Sequence, residues 1–380
     1  MQPVADKTRR PIPPRLLERI RNFTGFAHLQ FMKMGKGVEF FDVVALKATY
    51  DIVGDALVLA ATQRRVEPSD RYWSEDDAER SSLRVAGDAV VTKPACDVYV
   101  TGTARLAGGE KRKRWTAGLR LMEGRRKLVE CSLELTGPRV WTHGLVGGWT
   151  LSDPVPTNAV ELRYENAFGG SYARIDRRTK EAQWFSHASN PCGAGFVDLD
   201  AVDKGRPLRA HQIEIPGQSV RTLNQAYPLT GIGPMPRFWP TRTRYGGSYD
   251  QKWIEQFGES IVPDYPDDFD ERFFQAAPES QVCPHLETSE TLILVNLLPG
   301  SGLATLPLPH VGVAAFASNA DNNEVAWPAN LDTLHLDLDA QQLMLTWRFV
   351  LPRAADVREL QVYAAPFSTI PGFKTRASSS

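Results

Sequence analysis

Apolar residues in the first third of the chain come in short runs rich in β-branched and aromatic side chains. Val38–Tyr50 (VEFFDVVALKATY) reads as a strand, the DIVG that follows as a turn, and GDALVLA as the second strand of a hairpin. Cys96–Ala104 (CDVYVTGTA) and Arg126–Leu135 (RKLVECSLEL) continue the pattern, the latter with Leu128, Cys131, Leu133 and Leu135 as its apolar positions. Between them GGEKRKR has the look of a hairpin tip with a charged shoulder. Near the C-terminus, ETLILVNL is almost wholly apolar, as expected of a strand buried on both faces. Leu331–Asp339 (LDTLHLDLD) alternates strictly, with Leu334, Leu336 and Leu338 on one face and His335 on the other, solvated one. QLMLTWRFVLP follows across a short turn, predicting an antiparallel hairpin over residues 331–352.

The middle, Gly137–Pro278, has a different texture. Gly, Pro, Trp, Tyr and Phe crowd together and periodic runs disappear, which suits irregular loops pinned by buried rings. Two short helices are predicted there, at Asp250–Gly258 and at Asp267–Ala277. The second would be capped by Asp267 or Asp268 and stopped by Pro278. The fold class that results is mainly β: a large, sandwich-like unit with long irregular loops and a few short helices. Residues 15–365 form that single unit, with the 331–352 hairpin packed on it, a flexible arm at 1–14 and a tail at 366–380.

Composition narrows the function classes. With 44 basic against 45 acidic residues, the formal net charge is −1, so no overall field draws in nucleic acid or an anionic membrane. No stretch approaches the roughly 18 apolar residues of a membrane span. The first twenty residues lack the apolar core of a secretory signal. Four scattered cysteines (Cys96, Cys131, Cys192, Cys283) suggest no disulfide framework and point to a reduced, cytoplasmic setting.

Motifs for chemistry are sparse. Two similar pentamers, FGGSY at Phe168–Tyr172 and YGGSY at Tyr245–Tyr249, lack the Lys-Ser/Thr ending of a P-loop and the Gly-x-Gly-x-x-Gly spacing of a dinucleotide fold. Their glycines (Gly169, Gly170, Gly246, Gly247) read as positions needing positive φ or close backbone approach. Among seven histidines none pairs at i,i+4, and Cys283-Pro-His285 is the one close Cys/His pair. The acidic run Asp264–Asp270 lacks the closing Glu of a calcium loop, and helix capping accounts for it more simply. There is no nucleophile elbow. Lys111–Arg114 (KRKR) reads as a solvated turn rather than a polyanion site. No metal, nucleotide or other cofactor is expected, and a binding or scaffolding protein fits better than a catalyst.

More information lies in six ordered segments: KPACDVYVTGTA (Lys93–Ala104), GPRVW (Gly137–Trp141), YENAFGG (Tyr164–Gly170), NPCGAG (Asn190–Gly195), GIGPMPRFWPTRTRYGGSYDQKW (Gly231–Trp253) and PDDFDERFFQAAP (Pro266–Pro278). In this order they resemble the bacterial family known as domain of unknown function 2169, over residues 30–310. The chain departs from the family where Ala-Gly-Thr-Tyr-Asp becomes Gly246–Asp250, and where Leu-Pro-Asn-Ile-Glu becomes Ala210–Glu214. Within that pattern the two pentamers belong to different motifs, so they are parts of one aromatic-glycine scaffold and not a duplication.

Members of that family stand beside components of the type VI secretion system, near spike-tip and toxin proteins. The resemblance therefore implies a cytoplasmic adaptor or chaperone. It would bind a toxin, or its spike-docking segment, and assist loading onto the spike, with toxin and spike-tip proteins as partners. Tyr164, Phe168, Gly169, Gly170, Trp239, Arg242, Tyr245, Tyr249 and Trp253 are the candidate scaffold or partner-binding residues, and Phe168, Trp239, Tyr245 and Trp253 are expected to be mostly buried. The competing class is an enzyme, a hydrolase or modifying enzyme, in which Arg242, Glu165 and Asp250 would meet in a cleft.

Overall fold

The computed structural model describes residues 17–144, 147–258, 260, 263–319, 323–366 and 369. The expected arm at 1–14 lies outside them, as does the tail apart from Pro366 and Thr369. Strands make up 46% of the chain and helical turns 10%, so the protein is mainly β, as its alternating runs predict.

Three sheets carry the core. The largest has seven strands, ordered Ala27–Met34, Phe40–Val53, Gln342–Pro352, Asn330–Asp337, Cys96–Thr101 and Val282–Cys283, with Ala56–Leu59 paired to Phe40–Val53 as the expected hairpin. A five-stranded sheet runs Ile213–Glu214, Arg126–Thr136, Arg114–Glu123, Thr291–Leu298, Ser301–Pro307. The third runs Arg19–Asn22, Val357–Pro366, Val311–Asn319, Glu324–Pro328. One apolar cluster joins them, with Val44 and Leu46 from the first, Leu119, Leu133 and Leu294 from the second, and Val313 and Leu360 from the third. Period-2 patterning puts these residues inward, and their burial is the main force holding the sheets together.

The other face of the large sheet is polar and also buried. Across four strands Lys47 lies opposite Thr346, Thr346 opposite Thr333, and Thr333 opposite Asp97. The segment before Cys96 is clamped over this row. Lys47 Nζ meets Asp88 Oδ2 at 2.5 Å, Arg348 donates to the carbonyls of Asp88 and Val90 at 2.7 and 3.0 Å, and Lys93 Nζ donates to Asp97 Oδ2 at 2.7 Å. Charges so placed survive burial only because each has a partner.

Here the expectation for His335 fails. It is only 4% exposed, packed against the Tyr99 ring at a tilt and bonded to Thr101. Alternation correctly separates its face from that of Leu334 and Leu336, but a covering loop contributed from far away in sequence is invisible to a local pattern.

Two further expectations need correction. Cys96–Thr101 and Arg126–Thr136 do not form one hairpin around GGEKRKR; they lie in different sheets. The partner of Arg126–Thr136 is the intervening strand Arg114–Glu123, which buries Trp115, Ala117, Leu119 and Leu121 and turns at Gly124. KRKR is exposed, as expected. The helix at Gln251–Phe257 forms with Asp250 accepting from Trp253 N, but the second predicted helix is only a 3-10 turn, Glu271–Phe274, capped by Asp270. Its continuation is blocked because Asp97 takes the Ala276 and Ala277 amides at 2.9 and 3.2 Å. Asp267 and Asp268 serve loops instead: Asp268 accepts from Ser248, and the Asp267 carbonyl from Lys36.

Candidate functional site

The six ordered segments meet in space. A 3-10 turn at Tyr164–Asn166 buries Tyr164, whose hydroxyl donates to the Gly233 carbonyl at 2.9 Å. Asn190, fully buried, donates to the carbonyls of Tyr164 and Phe168 at 2.9 and 3.1 Å. Gly169 and Gly170 sit at φ 148° and 129°, and a Cβ on Gly169 would fall 2.2 Å from the Asn190 carbonyl. Only glycine fits there. The Phe168 ring then packs edge-on against His187, His211 and Tyr227. In the second pentamer Gly247 has positive φ, whereas Gly246 lies close to the Thr243 carbonyl.

Trp239, 1% exposed, precedes the short helix Pro240–Thr243, whose first-turn proline needs no N–H partner. That helix turns Arg242 inward. The Arg242 guanidinium donates to Met235 O at 2.7 Å and to Phe273 O at 2.8 and 3.2 Å. Burial pulls its pKa down to about 10, so it remains a cation, held by main-chain carbonyls. It thereby ties the Gly231–Trp253 segment to Pro266–Pro278, while Asp97 ties the latter to Lys93–Ala104.

Above Arg242 lies a groove of about 590 Å³, whose walls include Pro94, Met235, Pro278 and Val282. Its rim carries Tyr245 with two guanidiniums on the ring: Arg272 Cζ at 4.3 Å and Arg244 Cζ at 4.7 Å from the centroid. Glu279 holds Arg244 at 2.9 Å and Asp270 holds Arg272 at 2.6 Å. The result is a pre-ordered patch of arginine and aromatic surface beside an apolar trough.

Tyr164, Phe168 and Trp239 are buried as expected. Tyr245 and Trp253 are not: both are half-buried, and Tyr249 is 55% exposed. Trp253 stands on the Gln251–Phe257 helix, which buries no residue of its own, and the Tyr245 ring lies at the rim under two guanidiniums. Trp253 is nevertheless fixed, its indole donating to Asp264 O at 3.0 Å and meeting Tyr249 edge-on. Arg242, Glu165 and Asp250 do not gather in a cleft. Glu165 accepts from Ser82 N and Oγ at 2.8 and 2.6 Å, and Asp250 caps its helix. Among the described residues no three His, Cys, Asp or Glu converge to hold a metal ion.

Sequence reasoning passed over a second buried cluster. His211 Nε2 and Glu214 Oε1 are 2.8 Å apart, with Arg139 Nη2 3.2 Å from the same carboxylate oxygen. Burial alone would raise the Glu214 carboxyl, but the His211 hydrogen bond, Arg139 and the Val220 amide outweigh it and hold it at about 2. Burial lowers the His211 pKa, and its Nε2 lies 2.9 Å from Arg139 Nη2 as well as 2.8 Å from Glu214 Oε1. The only signal for this cluster is the departure at Ala210–Glu214, because Arg139 comes from GPRVW, far upstream.

The family model described as "Uncharacterized protein conserved in bacteria (DUF2169)" matches residues 37–348. It extends past the 30–310 resemblance to take in most of the C-terminal hairpin. No curated protein and no solved structure matches the chain. Since residues 37–348 cover well over half of the chain, the protein belongs to the DUF2169 family.

Proposed function

We propose that this protein is a cytoplasmic adaptor or chaperone of a type VI secretion system. It holds a toxin, or the toxin's spike-docking segment, and assists its loading onto the spike. The observation that carries this reading is the Arg244–Tyr245–Arg272 patch at the rim of the groove over Arg242. Arginine and tyrosine are the side chains that dominate protein-interface energetics, most effectively where they are ordered before binding. Three of the six segments that carry the family resemblance, Lys93–Ala104, Gly231–Trp253 and Pro266–Pro278, supply most of the walls of this groove. Arg242, Glu165 and Asp250, the residues an enzymatic reading would need together, instead serve three separate structural hydrogen-bond sets.

The test is to mix the purified protein with candidate toxin and spike-tip proteins from the same cell and to run size exclusion. A stable complex with either, without added metal or nucleotide, supports the adaptor. Free elution from both, together with turnover of a small substrate by the protein alone, replaces it with the enzyme.

A further inference from the structure

A second depression, of about 380 Å³, shares no lining residue with the groove over Arg242. Its floor is built by the polar face of the large sheet. His335 and Thr101 lie there, joined by a 2.6 Å bond between His335 Nε2 and Thr101 Oγ1, and His335 Nδ1 has no hydrogen-bond partner among the described residues. The adjoining turn is tight: Gly102 has φ 98°, and a Cβ there would fall 2.9 Å from Asp339 N. Neighbouring strands at Arg71–Tyr72 and Leu83–Val85 bring Arg71 and Arg84 to the wall, and Arg65 arrives from the preceding extended segment.

Charge is unevenly spent around this depression. Lys47 is neutralised by Asp88, and Arg64 lies 3.6 Å from Asp337. Glu67 also lines it and Asp339 accepts from the Thr103 amide, so two carboxylates without a cation among the described residues face the arginines that follow. Arg65, Arg71 and Arg84 have no carboxylate partner among the described residues, although most arginines in this near-neutral chain do. Arg84 instead lies 5.5 Å from the Trp73 ring, which also lines the depression. Three exposed arginines scattered over a surface would simply be solvated. Three converging on one concavity with a buried His–Thr floor make a receptor for an oxyanion, since each guanidinium presents a fork matched to carboxylate or phosphate.

We propose that this pocket binds a small organic anion, through a phosphate or carboxylate group gripped by Arg65, Arg71 and Arg84, with its remainder against Trp73. The volume suits a metabolite-sized ligand. A macromolecular polyanion is disfavoured by the formal net charge of −1.

Calorimetry and thermal melts of the full chain with inorganic phosphate, adenosine monophosphate and citrate, at fixed ionic strength against chloride, test this. Saturable binding of at least one, with a Kd below a millimolar and a raised Tm, is the expected result. Phosphate and the nucleotide against citrate distinguish the two head groups. Arg71→Ala with Arg84→Ala, both exposed and outside the core, should weaken binding about tenfold or more and leave the anion-free Tm unchanged. Arg65→Ala should weaken it independently. The proposal is overturned if all three anions behave like chloride, or if the double variant binds as the wild type does.

Discussion

The rings of Tyr164 and Trp239 meet edge to face with their centroids 5.1 Å apart. One belongs to YENAFGG and the other to PRFWP, so two segments separated by the whole NPCGAG region share a buried contact. Gly231 makes the approach possible, because a Cβ there would stand 2.4 Å from Tyr164 Cε1. The backbone around Gly231–Met235 is therefore shaped by an aromatic pair and not by a regular ladder.

Truncating these rings should separate scaffold from surface. Trp239→Ala and Phe168→Ala are each expected to cost about 3–5 kcal/mol in urea unfolding, as full-ring deletions in cores do. Trp253→Ala, half-buried on a helix with no buried residue, should cost only about 1–2 kcal/mol. Equal losses at all three positions would show that the Gln251–Phe257 helix is integral to the core.

Adding one methyl should also hurt. Gly231→Ala forces its Cβ into the Tyr164 ring, and overpacking of this kind costs about 1–3 kcal/mol. Gly217→Ala is a control for position: no atom lies within 4 Å of its Cβ, and its φ of 77° leaves backbone strain as the single penalty. If melts place Gly231→Ala at wild-type stability, the Tyr164 contact is looser than its geometry indicates.

Acid should unfold the protein in two overlapping steps. Burial, and then Lys47, hold His335 neutral and its pKa down at about 3, below the ordinary value of 6.5. Between those limits the unfolded chain binds a proton that the folded one refuses, so stability falls as pH drops from 6.5 towards 3, by about 1.4 kcal/mol per unit for such a group. Glu214, held at about 2, contributes stability above its unfolded value near 4.5 that is lost as pH falls towards 2. His335→Gln should make the upper part of the curve shallower, the rest of that slope coming from the lowered His211, and leave the lower part. A profile identical to wild type between pH 6.5 and 4.5 would assign the upper step to another group.

Strand runs such as Phe40–Val53 and Gln342–Pro352 were legible because each residue's neighbours on the chain report its face. Arg114–Glu123 was harder to see: GGEKRKR supplied a turn signal before it, and Gly118 breaks the apolar alternation. That glycine is required by packing, since a Cβ would fall 2.3 Å from the Cys131 carbonyl. The cover over the polar layer around Lys47, Asp97 and His335 was not legible, because Lys47–Asp88, Arg348–Asp88, Lys93–Thr333 and Thr101–His335 join distant parts of the chain. At the candidate site, Tyr164, Trp239 and Arg242 were found through the six ordered segments. Arg244 adjoins Tyr245 in the chain and Arg272 lies within PDDFDERFFQAAP, but their meeting on Tyr245 depends on how two loops cross.

That meeting yields the functional prediction. Arg244 and Arg272 are exposed, and their pairs with Glu279 and Asp270 are of the solvent-screened surface kind that adds little to stability. Arg244→Glu with Arg272→Glu should therefore leave the urea midpoint close to that of wild type. Binding is another matter, because truncated interface hot spots cost about 2 kcal/mol or more, roughly a thirtyfold loss. Tyr245→Ala should show the same split, removing the ring on which both guanidiniums rest. Co-purification of each folded variant with the toxin and spike-tip proteins proposed as partners gives the readout. Loss of the complex with stability retained places the partner on this groove. A charge-reversed protein that still captures its partner at wild-type affinity puts the docking surface elsewhere, and the Arg–Tyr–Arg patch becomes a device for ordering the Tyr245 loop alone.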